Sequence, residues 1–284
     1  MATALAPIGA QLRREVTAAT YLQTDDTPVT VLDDRGGSFK GRLWTYLDPL
    51  GRQVVFDATA THERAGPEAF LAPFAGKLQA DAYPGYDALY RSGRVCEIAC
   101  WAHARRRFVE ALTTDPQAAR VVALIQQLYD VERDAAELDV DGRQALRQGR
   151  SRPLLARLDA VRHELVHVAL PKSPLGDALR YLGNQWTALQ RYVEDGRLNI
   201  DNNRAENQLR VVAVGRKNWL FAGSMAGAHR AALLYSLVQS CKLVDVPPFD
   251  YLKDVLLRVA THPQRLIPQL TPKGWADTFR RPSA

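Results

Sequence analysis

The chain has 284 residues, 46% hydrophobic and 24% charged, a balance that suits packed globular structure and argues against a disordered chain. No apolar run approaches the roughly 18 residues that a membrane-crossing helix needs, and the opening MATALAPIGAQLRREV lacks the basic start and long apolar stretch of a signal peptide; a cytoplasmic protein with no membrane partner is expected. The formal charge of +6 permits a nucleic-acid partner without requiring one.

In chain order, a short opening arm leads into "ATYLQTDDTPVTVLD", "GSFKGRLWTYLDPLG" and "RQVVFDATATHE". Each is rich in β-branched and aromatic residues and bounded by Gly, Pro or Asp, which predicts three successive strands in a meander. "GPEAFLAPFAG" predicts a short helix, "KLQAD" a brief strand ending on Asp81, "YPGYDALYRSG" a turn and helix, and "RVCEIACWAH" a buried strand. From about residue 104 to 193 apolar residues recur at helical spacing between Pro and Gly breaks, predicting a helical block without strands. An Asn-rich turn, a helix holding Glu206, the stretch "NWLFAGSMAGAHRAALLYSLVQSCKL" and a Pro-rich exit complete the chain.

Within the helical block the acidic VERDAAELDVDG lies just before the arginine-rich GRQALRQGRSRPLLARLDAVR. Neighbouring runs of opposite sign fit two helices paired through their charges, or a basic surface that tracks phosphate. The three cysteines, Cys96, Cys100 and Cys241, cannot all pair with one another; buried thiols in a reducing compartment are expected. Cys96, Cys100 and His103 form a loose C-x3-C-x2-H, but strand alternation puts the two cysteines on one face with no fourth ligand nearby, so packed thiols are preferred to a metal site.

Three acids stand at structurally special points: Asp25 or Asp26 in the first strand, Asp81 at the end of the fourth, and Glu206 on the first turns of a helix. They are too far apart in sequence for a local motif, so only a fold could gather them. Adjacent first and fourth strands covered by a returning helix would do so, and hard oxygen ligands of that kind suit Mg²⁺ or Mn²⁺ in phosphodiester cleavage. Simpler readings exist. The aspartates precede turn residues, and Asn203 with Glu206 makes N-x-x-E, a capping box. Asn203, Glu206 and Arg210 share one helix face, where a carboxylate between an amide and a guanidinium suits a phosphate site.

"HELVH", with His163, Glu164 and His167, matches the H-E-x-x-H of zinc metallopeptidases, and Glu194 lies where a third ligand could fall. The match sits inside the arginine-rich block and lacks the extended form of that motif, which favours coincidence.

Taken together, "TDDTPVTVL", "LQADAYPGYDALY", "CWAHARRRF", "LPKSPLGDALRYLGNQWTAL", "DNNRAENQLRVVAVGRKNWLFAG" and "PPFDYLKDVL" resemble the DDE transposases of bacterial insertion-sequence family 66, from about residue 18 to 270. The resemblance implies an α/β fold, a ribonuclease-H-like mixed-sheet core with an inserted helical block. Its expected parts are an N-terminal arm (1–18), a first core segment (19–107), the helical insertion (108–193), a second core segment carrying the third acid (194–245) and a C-terminal helical tail (246–284). It implies that Asp25, Asp81 and Glu206 are the catalytic acids and the ligands of two Mg²⁺ or Mn²⁺ ions. Family members commonly read Asp-Glu before Thr-Pro, so Asp26 fills the place of the glutamate here.

The activity implied is metal-dependent DNA cleavage and strand transfer in transposition of an insertion sequence. The partners implied are the element's terminal inverted repeats, target DNA and further copies of the chain in a synaptic complex. Arg105, Arg106, Arg107, Arg204, Arg210, Arg216 and Lys217 are the expected phosphate contacts, and Trp219 either stacks on an unpaired base or packs in the core. Family members carry further DNA-contacting sequence and a small zinc module upstream, so the chain reads as a catalytic portion, a truncated copy or a fragment. A catalytically inactive DNA-binding remnant is the alternative reading.

Overall fold

The computed structural model describes residues 2–33 and 35–280. In chain order the elements are α1 (Ala2–Thr17), β1 (Tyr21–Leu32), β2 (Ser38–Asp48), β3 (Gln53–Thr59), α2 (Ala65–Leu71), β4 (Gly76–Ala80), α3 (Asp87–Arg91), β5 (Val95–Ala99), α4 (Trp101–Ala111) and α5 (Ala118–Asp134). There follow α6 (Val140–Leu146), a π turn (Arg147–Ser151), α7 (Arg152–Val168), α8 (Pro174–Asn184), α9 (Trp186–Gln190), α10 (Asn203–Trp219), α11 (Met225–Leu243), α12 (Pro248–Arg258) and α13 (Pro272–Phe279). This is a mixed α/β chain with one five-stranded mixed sheet, in the order β3-β2-β1-β4-β5. The predicted succession of strand, strand, strand, helix, strand, helix, strand is the one observed.

The chain divides into two compact units. One comprises Met1–Leu78, Tyr83–Cys96 and Asn203–Ala284; the other comprises Gln79–Ala82 and Glu97–Asn202.

In the first unit, β1, β2 and β3 pair antiparallel. The turns between them are set by aspartates. Asp33 Oδ1 accepts the N–H of Arg35 and Gly37, and Asp48 Oδ1 accepts the N–H of Leu50 and Gly51, each at 2.8–3.0 Å. Because side chains alternate along a strand, the register sorts this meander into two faces. Val29, Val31, Leu43, Leu47, Val54, Phe56 and Ala58 form one, and they pack against Ala205, Leu209 and Val212 of α10 and Ala228 and Ala232 of α11. Small side chains let α11 approach closely: Ser236 Oγ accepts the N–H of Phe56, and Ser240 Oγ bonds both the N–H and the carbonyl of Val54. Burying each large aliphatic side chain here contributes about 1.5–3 kcal/mol.

The other face carries the fully buried Trp44 and Tyr46, with Phe70 of α2 stacked on Tyr46 at 3.7 Å between ring centroids. The opening residues are more than an arm: they form α1, which buries Leu5, Ile8, Leu12 and Val16 at helical spacing.

The second unit is helical from Trp101 onward, and between 108 and 193 no strand occurs among the described residues. Its opposite charge runs are paired. Glu132 at the end of α5 holds Arg147 through two bonds of 2.8 and 2.6 Å, and Asp134 holds Arg150 at 2.6 Å. Arg147 is fully buried and also donates to the carbonyls of Tyr192, Asp195 and Leu198, so one guanidinium ties the return loop to the helices.

Two expectations are corrected. Cys100 and Cys241 are buried, but Cys96 is exposed, so the three do not form a uniformly buried set. Cys96 and Cys100 do not share an environment either: Cys96 is an exposed residue of β5, whereas Cys100 follows that strand as the buried, extended residue that caps α4.

Candidate active site

β1 and α10 build the site. Asp25 lies at the middle of β1 opposite Thr45, on the face of Val29 and Leu43 that α10 covers, whereas Asp26 lies opposite Trp44 on the other face. A pocket of about 610 Å³ opens between β1 and α10, lined by Asp25, Asp26, Thr27, Asn203, Glu206, Asn207 and Arg210 among others. The structure thus brings Asp25, Glu206, Asn203 and Arg210 together in one cavity of the first unit.

Asp26 borders that cavity, but its carboxylate is engaged elsewhere. It accepts Arg42 Nη1 at 3.0 Å and His62 Nε2 at 3.1 Å. His62 is itself stacked between Trp44, at 5.4 Å, and Tyr83, at 4.4 Å. Trp44 Nε1 donates to Thr59 Oγ1, and the Tyr83 hydroxyl donates to the His62 carbonyl. The backbone N–H of Asp26 donates to Asp25 Oδ1 at 2.8 Å, so the fixed neighbour helps to orient the acid in the cavity. Sequence reading missed this cluster. His62 lies beyond the end of β3 in no motif, and its relation to Asp26 requires the strand register.

Glu206 is the fourth residue of α10, which begins at Asn203. Asn203 and Glu206 thus both lie in the first turn of the helix, where a carboxylate also interacts favourably with the helix dipole. Downstream, the "GRKNWLFAG" stretch closes the edge of β1. Ala222 N–H donates to Thr30 O at 2.8 Å, Leu32 N–H donates to Ala222 O at 2.9 Å, and Arg216 donates to the Pro28 carbonyl. Trp219 is half-buried against the sheet and helix core and lies so close to Gly215 that a Cβ there would sit 2.6 Å from its Nε1. Arg204, Arg210 and Lys217 are exposed.

Asp81 follows β4 directly, in the second unit. Two residues earlier the buried Gln79 donates to the carbonyls of Asn199, at 2.9 Å, and Ala99, at 3.3 Å. The buried Asp201 accepts the Tyr129 hydroxyl at 2.9 Å, and burial, reinforced by the Asp201 charge, pushes that hydroxyl's pKa up. Burial likewise pushes the Cys100 thiol up to about 12. Of the α4 arginines, Arg107 stacks over Tyr181 at 4.3 Å, Arg106 is exposed and Arg105 is half-buried.

The HELVH residues lie on α7, and the would-be general base is committed: Glu164 is held by Arg120 at 2.8 and 2.6 Å. His163 Nδ1 lies 2.8 Å from the Asp159 carbonyl oxygen. Among the described residues no group of three or more His, Cys, Asp or Glu stands ready to hold a metal ion. No described helix is long and apolar enough to cross a membrane.

Comparison with known proteins places these features in a family. The family described as "Transposase IS66 family" matches residues 1–230, and "IS66 C-terminal element" matches 236–272. Two proteins of Sinorhizobium fredii (strain NBRC 101917 / NGR234) are similar. "Uncharacterized protein y4hP" is 31% identical over 96% of this chain and 54% of its own length, and "Uncharacterized protein y4jD" is 34% identical over 78% of this chain and 44% of its own. The chain thus spans about half the length of these relatives. No solved structure matches. With the matched segments covering both the Asp25 strand and the Glu206 helix, the chain belongs to the IS66 family of transposases.

Proposed function

We propose that the protein is a DDE-type DNA transposase whose ribonuclease-H-like core cuts and joins DNA through Asp25, Asp81 and Glu206. The observation that carries the reading is the cavity in which Asp25 of β1 and Glu206 of α10 stand with Asn203 and Arg210. The carboxylates of Asp25 and Glu206 and the side-chain amides of Asn203 and Asn207 are hard oxygen donors, which fit Mg²⁺ or Mn²⁺. Asp25, Glu206 and, by its place in the family motif, Asp81 would hold the ions. When bound, such ions activate water at neutral pH and stabilise the leaving oxygen of a phosphodiester.

The chain's own residues supply the rest. Arg210, one helical turn beyond Glu206, neutralises a phosphate oxygen at the cavity and sets the scissile group between the acids. The Asp26 N–H fixes the rotamer of Asp25. Arg216, through the Pro28 carbonyl, and Ala222, through Thr30, hold β1 so that Asp25 keeps its place beside α10. In the first unit, exposed Arg204 and Lys217 contact phosphates without reading sequence; in the second unit, Arg105, Arg106 and Arg107 do the same. Released 3′ hydroxyls then attack target DNA in line, with no covalent protein intermediate.

The test is strand cleavage on pre-nicked element ends with Mg²⁺ or Mn²⁺, comparing the parent with Asp25→Asn, Asp81→Asn and Glu206→Gln. Loss of cutting in all three with DNA binding intact is the expected result. A parent protein that binds DNA and cuts with neither ion is the inactive remnant. Cutting by Glu206→Gln at the parental rate removes the helix acid from the mechanism.

A further inference from the structure

We infer that Leu220 and Phe221 form an apolar wedge that enters the base stack of bound DNA and opens one step; the inference rests on the DNA-processing reading above. Leu220 stands in the left-handed backbone region, at φ 57°, which glycine or asparagine adopts at lower cost than a large side chain. No burial compensates the strain, since Leu220 is 64% and Phe221 45% exposed.

The backbone beneath them is fixed. Leu220 N–H donates to the Arg216 carbonyl at 3.1 Å and Phe221 N–H to the Trp219 carbonyl at 2.6 Å. Ala222 is bonded on both sides to β1. Two large apolar side chains are therefore displayed on a rigid edge, not carried by a slack loop.

The charge along this stretch of the chain points to the occupant. From Asn207 to Val244 the chain carries five Lys and Arg and no Asp or Glu, with Arg216 and Lys217 in the last turn of α10 immediately before the pair. Exposed apolar side chains bracketed along the chain by cations suit a polyanion with an apolar interior. Duplex DNA is such a partner: cations hold its phosphates while leucine or phenylalanine parts two base pairs. Leu220 lies fourteen residues beyond Glu206, about 20 Å along the helix direction, so the opened step is separate from the cavity that holds the acids.

The probe is a mixed-sequence duplex carrying 2-aminopurine, whose fluorescence rises on unstacking. The parent protein is expected to raise it several-fold at saturation. Leu220→Gly, which also relieves the backbone strain, and Leu220→Gly with Phe221→Ser are expected to abolish the rise. Duplex affinity and its salt dependence should stay within about twofold and the melting temperature of the Leu220→Gly protein should not fall.

Duplex bound by the parent without a fluorescence rise, or a rise kept by both variants, overturns the wedge and leaves the transposase reading standing. A lower melting temperature in Leu220→Gly assigns Leu220 to packing and also overturns it. Binding of anionic phosphatidylserine vesicles that is lost in Leu220→Gly, with the duplex signal unaltered, gives the surface to lipid instead. Absence of duplex binding by the parent at low salt would sink both readings.

Discussion

Asp25 and Asp26 are adjacent in β1, yet they serve opposite faces: the Asp26 N–H bonds Asp25 Oδ1 at 2.8 Å, while the Asp26 carboxylate turns to Arg42 and His62. Asp25→Asn should therefore abolish cleavage with little change in melting temperature, because it removes charge from an open cavity. Asp26→Asn should cost about 1–2 kcal/mol, since it weakens two charge-assisted bonds at a largely buried carboxylate, and should reduce cleavage only in part. Thermal melts run beside the cleavage assay check both. Parental cutting by Asp25→Asn combined with a dead but stable Asp26→Asn would reverse the two roles.

How much of this was legible in the sequence depends on the range of the interaction. β1 to β3 were readable because alternation and turn residues are local. Even the separation of Asp25 from Asp26 follows from period two, once the covered face is known. The helical character of 2–17 was also present, in the spacing of Leu5, Ile8, Leu12 and Val16, but a short opening with Pro7 in it reads as an arm. Arg147 was not readable: it looks like its neighbours in an arginine-rich run, and only the carbonyls of Tyr192, Asp195 and Leu198, far along the chain, make it the buried one. The Asp26–His62 pair was hidden for the same reason.

Arg147 gives the clearest stability test. Its side chain is 1% exposed and its bonds reach Glu132 and three carbonyls, so Arg147→Ala leaves a largely buried carboxylate and several acceptors unpaired, at a cost of about 3–5 kcal/mol. Replacing both partners, Arg147→Met with Glu132→Leu, should cost less than the sum of the single changes, because neither charge is then left alone. Denaturant melts of the four proteins measure this directly. Additive losses would mean that the pair is not coupled.

The pH dependence has a specific source in Asp57, whose carboxyl pKa is raised, chiefly by burial, against the opposing charges of Arg13 and His229. Well below the unfolded value both states are protonated and the group contributes nothing. Between the unfolded and the higher folded value the native state keeps a proton that the unfolded chain has lost, so stability falls as pH rises through that window. Above it the penalty is complete. Asp57→Asn should therefore raise the melting temperature at neutral pH, with the gain shrinking as pH drops toward the ordinary aspartate range. A gain that stays constant with pH would assign the effect to packing.

Thiol labelling separates the cysteines. Cys96 is exposed, while burial holds the Cys100 and Cys241 thiols up at about 12, where almost no thiolate exists at neutral pH. Brief maleimide treatment of the native protein should modify Cys96 alone, as read by peptide mass, and all three should react in denaturant. Fast native labelling of Cys241 would show that α11 opens from β3 more readily than its Ser236 and Ser240 bonds imply.

The basic residues of α10 should divide into two kinds. Arg210 and Lys217 are exposed, so Arg210→Ala and Lys217→Ala should leave the melting temperature nearly unchanged. Each should weaken DNA binding across sequences and lower the salt slope by about one unit. Arg216 grips the Pro28 carbonyl, three residues from Asp25, and its loss frees the strand that carries the acid. Arg216→Ala should therefore lower the melting temperature by a few degrees and slow cleavage more than it weakens binding, whereas a pure phosphate contact would do the reverse. Salt titrations of affinity, paired with single-turnover cleavage, decide between them. If Arg216→Ala shifts only the salt slope, its bond to β1 has no part in holding Asp25.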